Sequence, residues 1–360
     1  MKKIKVAIVF GGSSPEYEVS LQSAYTIISS LDKERHQPVL IGISRKGEWF
    51  RFSGDIGKIK SDTWCNDYDC VPAVISPNRL ALSLLLITDN RVSRESIDLI
   101  FPVLHGKYGE DGTIQGLAEL AGIPLVGSSV LSSALCMDKE RAHKLVLAGG
   151  ISVPNFTTVG RDYKTDDLLQ RATDIGYPVF VKPVKAGSSF GASRVLSSSD
   201  LISAVEFAFQ YDDRVIIEEN ITGIEVACAV LGTSELIVGE IDEVELSNGF
   251  FDYAEKYTPQ KTTIHAPARI SADKATEIKD SAKKIYRLLD CSCFARIDFF
   301  LSPEGKIIFN EANTIPGFTK HSRYPLMMKV AGLSMETVVD MMIELALDTQ
   351  SQPLLSDNET

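Results

Sequence analysis

No stretch of about 20 consecutive apolar residues occurs in the chain, so nothing in it reads as a membrane span. Positive charge is in deficit: 37 Lys and Arg stand against 48 Asp and Glu, a net charge of −11. That balance excludes the basic field needed for sequence-independent binding of nucleic acid, though not a local basic pocket for a nucleotide. Cysteine is sparse and unpatterned. The six, at positions 65, 70, 136, 228, 291 and 293, form no Cys-x-x-Cys, which argues against a zinc site or a nucleophilic thiol. They read as the reduced thiols of a cytoplasmic protein. The apolar run from Ile4 to Phe10 is too short for a secretory signal and has no small-residue cleavage site after it. It reads instead as a buried first strand. Two familiar nucleotide signatures, Gly-x-Gly-x-x-Gly and Gly-x-x-x-x-Gly-Lys-Ser/Thr, are missing, and so is any internal repeat.

What remains is a composition of 44% hydrophobic and 24% charged residues over 360 positions, enough for two or three globular domains. Strand and helix patterns alternate at first: a strand over 4–10, a helix carrying Leu21, Ala24, Tyr25, Ile28 and Leu31, strands over 38–43 and 97–104, and a helix from Thr113 to about Gly122. This βαβ rhythm implies a mostly parallel sheet covered by helices. Residues 45–95 are less regular and read as loop-rich. Beyond a helix over 139–148 come a strand over 177–183, a helix over 201–210 with Asp200 as its N-cap, a strand over 214–218, and strand-rich segments over 226–232 and 236–241. Residues 248–263 lack either periodicity and are too polar for a core, so they read as a long surface loop of the kind that serves as a lid. A helix over 272–289, strands over 293–300 and 307–310, and a helix over 335–347 follow, and residues 349–360 form a polar tail.

Four segments carry chemistry. Gly11-Gly12-Ser13-Ser14-Pro15-Glu16 joins a strand to a helix, a setting that turns backbone N–H groups toward a ligand, and Glu16 there could hold a substrate ammonium. His105-Gly106-Lys107-Tyr108-Gly109-Glu110-Asp111-Gly112 likewise follows a strand and opens a helix; its glycines allow close approach to a ligand, while Asp111 serves equally well as a helix cap. Lys182 ends a strand just before the loop Gly187-Ser188-Ser189-Phe190-Gly191, and a point charge beside movable hydroxyl donors suits a polyphosphate. The fourth segment is the most specific. Arg296 and Asp298 share one face of a strand, and thirteen positions after Asp298 stands Glu311, with Asn313 on its own side. A hairpin of these strands would gather three oxygen ligands suited to magnesium, with nucleotide phosphates completing the shell, and a guanidinium beside them.

At these residues the chain resembles the D-alanine–D-alanine ligase family of ATP-grasp enzymes, from about residue 4 to residue 347 and in the family's order. The motifs are Gly-Gly-Ser-Ser-x-Glu-x-Glu-Val-Ser, His-Gly-x-x-Gly-Glu-Asp-Gly, Gly-Ser-Ser-x-Gly and Glu-x-Asn-Thr-x-Pro-Gly. The resemblance implies a mixed α/β and α+β architecture: an N-terminal Rossmann-like, pre-ATP-grasp domain over 1–130, a central ATP-grasp subdomain over 131–222, and a C-terminal subdomain over 223–348 carrying the lid. It also implies a homodimer. By position, Lys139 and Lys182 would contact nucleotide phosphates, Glu218 and Ile221 the adenine edge, Glu225 the ribose, Phe250 and Phe300 the base, and Lys256 of the lid the γ-phosphate. Glu219 stands where many relatives have lysine. Asp298, Glu311 and Asn313 would hold two Mg2+ ions, with Mn2+ the alternative. Glu16 would take the ammonium of the first D-alanine, networked with Ser188 and Tyr257, and His105 would line that site. Arg296 and the Gly317 backbone N–H would stabilise the tetrahedral oxyanion, and Ser322 would hold the second substrate.

The stretch Gly317-Phe318-Thr319-Lys320-His321-Ser322-Arg323-Tyr324-Pro325 bears on that second substrate. Ordinary D-Ala–D-Ala ligases usually carry an apolar residue at the position of Arg323. An arginine fork could hold a serine hydroxyl instead, or form a structural ion pair. The stretch resembles the vancomycin-resistance ligases, and the lid keeps Tyr257 where lactate-using relatives commonly have histidine. The expectation is therefore an ATP-dependent ligase of D-alanine and D-serine, similar to VanG-type serine ligases and working through a D-alanyl phosphate in peptidoglycan-precursor synthesis. D-Ala–D-Ala and D-Ala–D-lactate ligation are the alternatives.

Overall fold

The computed structural model describes residues 2–66, 68–89, 91–246, 262–319 and 321–348. Three sheets follow one another along the chain. The first has seven strands, in the order Arg91–Ser96, Ser83–Thr88, Cys70–Ile75, Trp49–Phe52, His36–Ile43, Ile4–Gly11, Leu99–Val103. Ile4–Gly11 runs parallel to both of its neighbours. Such a strand is covered on both faces, which is why Val6 to Phe10 form an unbroken apolar run and are fully buried.

The stretch 45–95, expected to be loop-rich, instead supplies four of these strands, all antiparallel. Their alternation is hard to see in sequence for a physical reason. They are only four to six residues long, and the edge strand Arg91–Ser96 is almost wholly exposed, so burial imposes no apolar period on it.

The second sheet has the order Ser193–Val195, Val179–Pro183, Arg214–Glu219, Phe156–Gly160, and all its pairings are antiparallel. Helices Thr165–Ile175 and Ser198–Ala208 bury Leu168, Ala172, Leu201 and Val205 against Val179, Val181, Val215 and Ile217. Ser197, not Asp200, occupies the N-cap position of the second of these helices. Asp200 lies in its first turn, where a carboxylate complements the helix dipole.

The third sheet pairs Thr262–His265, Asp242–Leu246, Ile224–Gly232, Phe294–Leu301 and Ile307–Asn313 in that order, with Leu236–Val238 added beside Ile224–Gly232. Helix Ala272–Leu288 packs Ile278, Ala282, Ile285 and Tyr286 on one face. The other face joins the first sheet in a common core, in which Val6, Ile8, Phe101, Ala227, Phe294, Phe318 and Met342 are all buried. At about 1.5–3 kcal/mol for each large apolar side chain removed from water, that shared core ties the first and third sheets into one body. The long loop expected over 248–263 lies largely outside the described residues, which resume at the strand Thr262–His265. Among the described residues no helix is long and apolar enough to cross a membrane.

Candidate active site

The strands Phe294–Leu301 and Ile307–Asn313 pair antiparallel, with Arg296 opposite Asn313 and Asp298 opposite Glu311. The register shifts just after Asp298, so the four polar side chains gather at one end of the ladder. Arg296 grips Asp298 with two donors, Nε and Nη2, each 2.7 Å from a carboxylate oxygen. Asn313 Nδ2 donates to Asp298 Oδ2 at 3.3 Å. Burial works against the Arg296 charge, but Asp298 outweighs it and raises the guanidinium pKa. Helix Lys139–Ala148 brings Lys139 Nζ to 3.6 Å from Glu311 Oε2, and the same ammonium donates to the Ala186 carbonyl at 2.8 Å.

Among the described residues no group of three or more His, Cys, Asp or Glu side chains converges as a self-sufficient metal cage. Two carboxylates and one amide oxygen do fit a hard cation that takes its remaining ligands from phosphate and water, which is how magnesium is usually held. Asp298, Glu311 and Asn313 are the residues that would hold it.

At the end of the first strand, the Gly11–Glu16 turn places Glu16 against the Gly187–Gly191 loop, and the Ser188 hydroxyl donates to Glu16 Oε1. Gly106 forms part of the same wall. Its φ is +69°, and a Cβ there would stand 2.7 Å from Glu16 Oε2, so only glycine fits. Glu110 braces this turn by accepting the Gly106 amide at 2.7 Å. Burial, and then the charge of Glu16, pushes the Glu110 carboxyl up to about 8. Asp111 accepts from the Tyr108 and Thr113 amides, at 2.8 and 3.0 Å, so it ties the turn to the helix start even though Gly112 holds the N-cap position. His105 is buried, which lowers its pKa. Its Nδ1 donates to the Ile315 carbonyl at 3.0 Å, linking this wall to the segment after the metal-type strand. Farther along that segment, Thr319 N donates to Ser322 Oγ at 3.0 Å, and that hydroxyl lies 2.8 Å from where a Cβ on Gly317 would be.

On the second sheet, Lys182 Nζ sits 2.6 Å from Glu218 Oε2. Glu219 Oε2 accepts from the Asn155 side chain at 2.9 Å. Ile221 lies in the short connection between Arg214–Glu219 and Ile224–Gly232, and Phe300 is partly buried opposite Glu225 in the third sheet. Phe250, Lys256 and Tyr257 lie outside the described residues.

Two expectations change. Arg323 was expected to present its fork to a substrate hydroxyl. It is instead buried at the start of helix Arg323–Val330, where Nε and Nη2 each donate to Asp242 at 2.8 Å and Nη1 donates to Glu225 Oε1 at 2.5 Å. Burial opposes that charge, but Asp242 outweighs it and raises the pKa well above the usual value. The ion-pair alternative thus describes Arg323, and Glu225, expected at a ribose, is engaged with it. Asp242, 81 positions from Arg323 in a strand whose polarity looks like a solvated edge, carries no sequence signal of this pairing, whereas Glu110 stands inside the His105–Gly112 motif.

Comparison with known proteins bears on what this site does. The family models described as D-ala D-ala ligase N-terminus and D-ala D-ala ligase C-terminus match residues 5–128 and 145–344. The vancomycin B-type resistance protein VanB of Enterococcus faecalis is 44% identical over 353 residues, which is 97% of this chain and all of that one. A D-alanine–D-alanine ligase of Caldicellulosiruptor bescii is 42% identical, over 98% of this chain and 97% of its own. Among solved structures, the VanG D-Ala:D-Ser ligase from Enterococcus faecalis superposes with a TM-score of 0.89 at 51% identity, over 96% of this chain and all of that one.

Proposed function

The chain belongs to the D-alanine–D-alanine ligase family and has its ATP-grasp fold, and from that premise we propose that it joins D-alanine to D-serine at the expense of ATP. Members of this family use ATP and a divalent metal to ligate D-alanine to a second D-substrate. The observation that carries the reading is the facing of Asp298 with Glu311 and of Arg296 with Asn313, with Lys139 3.6 Å from Glu311.

The chemistry fits this arrangement. A carboxylate resists attack by an amine, so it must first gain a leaving group. Phosphorylation of the D-alanine carboxylate supplies one, and Lys139 and Lys182 offset the charge that spreads over the transferring phosphoryl group. When bound, the divalent cation held by Asp298, Glu311 and Asn313 adds further charge neutralisation there. Glu16, oriented by Ser188, takes the substrate ammonium. The second amine then attacks, and Arg296 with the Gly317 N–H stabilises the oxyanion as it forms. The 248–263 segment, with Lys256 and Tyr257, would exclude water from the acyl phosphate. Glu218, Ile221 and Phe300 would line the base pocket, to which the resemblance also assigns Phe250.

D-serine is favoured over D-alanine as the second substrate by the 51% identity to the VanG D-Ala:D-Ser ligase, set against 44% to VanB and 42% to a D-Ala–D-Ala ligase. Product masses after incubation with ATP, Mg2+, D-alanine and excess D-serine test it. D-Ala–D-Ser should dominate, and a mixture in which D-Ala–D-Ala prevails would refute the preference. The double variant Asp298→Asn, Glu311→Gln should lose ADP release, and retained turnover would refute the metal assignment. A homodimer is the expected assembly, checked by light scattering.

A further inference from the structure

Helix Lys139–Ala148 inserts one more side chain between the second and third sheets. The His143 ring is fully buried. It meets Phe156 of the second sheet edge-to-face at 5.3 Å and Phe309 of the third sheet at 5.6 Å. Its Nε2 lies 2.9 Å from the carbonyl oxygen of Asn310, the residue just before Glu311. A carbonyl only accepts, so the ring proton sits on Nε2. Burial lowers the pKa, keeping the ring neutral and leaving Nδ1 with its lone pair. That nitrogen faces Glu218 Oε1 at 3.6 Å, and neither atom has a hydrogen-bond partner. The other Glu218 oxygen is 2.6 Å from Lys182 Nζ.

We propose that His143 is a positioning residue for Lys182, acting through Glu218 and anchored to the strand that carries Glu311. The inference rests on the nucleotide reading above. The ring packs against Glu218 Oε1 without bonding it, and the other oxygen of that carboxylate meets Lys182 Nζ. The aromatic clamp and the Asn310 bond fix the distance between the second sheet, which supplies Lys182, and the third, which supplies Glu311. An ordinary core histidine would have two satisfied nitrogens and no ionic chain leading from it to a cleft lysine.

The test is a double-mutant cycle on steady-state ATP kinetics at saturating amino acids. His143→Phe keeps the ring volume and both aromatic contacts. If its loss is worth one hydrogen bond, KM for ATP should rise about tenfold, with kcat changed by less than about threefold. Lys182→Ala should raise KM at least as much. Because His143 acts through Lys182, the double variant should be no worse than Lys182→Ala within about twofold. His143→Gln, which can still donate toward Asn310, should recover most of the loss. Wild-type KM in His143→Phe, or effects that multiply in the double variant, would overturn the inference while leaving the nucleotide site standing. An unchanged KM in Lys182→Ala would overturn the nucleotide reading and the inference with it. Should His143→Phe fail to fold, 15N-histidine spectra of the native chain, which has five histidines, give a second readout. One ring should show an unprotonated Nδ1 whose shift moves on adding Mg2+ and a non-hydrolysable ATP analogue, and no such movement would overturn the proposal.

Discussion

Arg323 shows how far a residue's meaning depends on its neighbours. Sequence alone leaves two readings of it open, a substrate-holding fork or an ion pair. Asp242 and Glu225 favour the second. Replacing Arg323 with leucine would leave Asp242, which is fully buried, without its main partner. Removing one member of a buried pair costs about 3–5 kcal/mol, so Arg323→Leu should lower the unfolding free energy by about that much in a denaturant titration. A change well below 1 kcal/mol would mean that the pairing contributes little. Glu16 is the opposite case. Its place in a strand-to-helix turn already suggested a substrate contact, the resemblance set Ser188 beside it, and the fold brings that hydroxyl to it from 172 positions away.

At the scale of elements, legibility follows burial. The doubly covered strand Ile4–Gly11 and the amphipathic helix Ala272–Leu288 are readable because burial writes a regular pattern into each. The strands between residues 49 and 96 are not, because they lie toward a sheet edge where side chains meet water on at least one face. What anchors them is Trp64, fully buried and edge-on to Phe10, Phe50 and Phe52, with its indole N–H donating to the Tyr17 hydroxyl at 3.0 Å. The indole ring fills the space beside Gly42, where an added Cβ would stand 2.3 Å from it. Overpacking of this kind costs about 1–3 kcal/mol, so Gly42→Ala should be destabilised by that amount in thermal unfolding. An unchanged melting temperature would show that the indole can shift without cost.

For the molecule as a whole, three histidines make stability depend on acid. Burial lowers the pKa of His36, His105 and His143, so each native ring resists a proton that the unfolded chain takes up at its ordinary value near 6.5. The sign follows directly. Their contribution is complete above about pH 6.5 and is lost as pH falls toward the depressed native values. Two of the three join sheets: His105 bonds the Ile315 carbonyl, and His143 bonds the Asn310 carbonyl. His36, at the first sheet, faces Asp340 of the final helix at 3.4 Å without a hydrogen bond, and Arg35 pairs with Asp340 and Glu344 beside it. Calorimetry should show the melting temperature falling between pH 7 and pH 5, with a shallower fall in His36→Phe. A flat profile would count against neutral native rings.

The sequence by itself determined the order of strands and helices wherever a repeating environment writes a period into it. It also determined the inventory of polar groups the chemistry needs, because the motifs are contiguous and their spacing survives folding. Which distant groups meet outside those motifs was decided by the tertiary structure: pairing Arg323 with Asp242 and His143 with Glu218 requires contacts between segments 81 and 75 positions apart. Sheet register and shared cores fix such contacts, and a linear pattern carries no record of them.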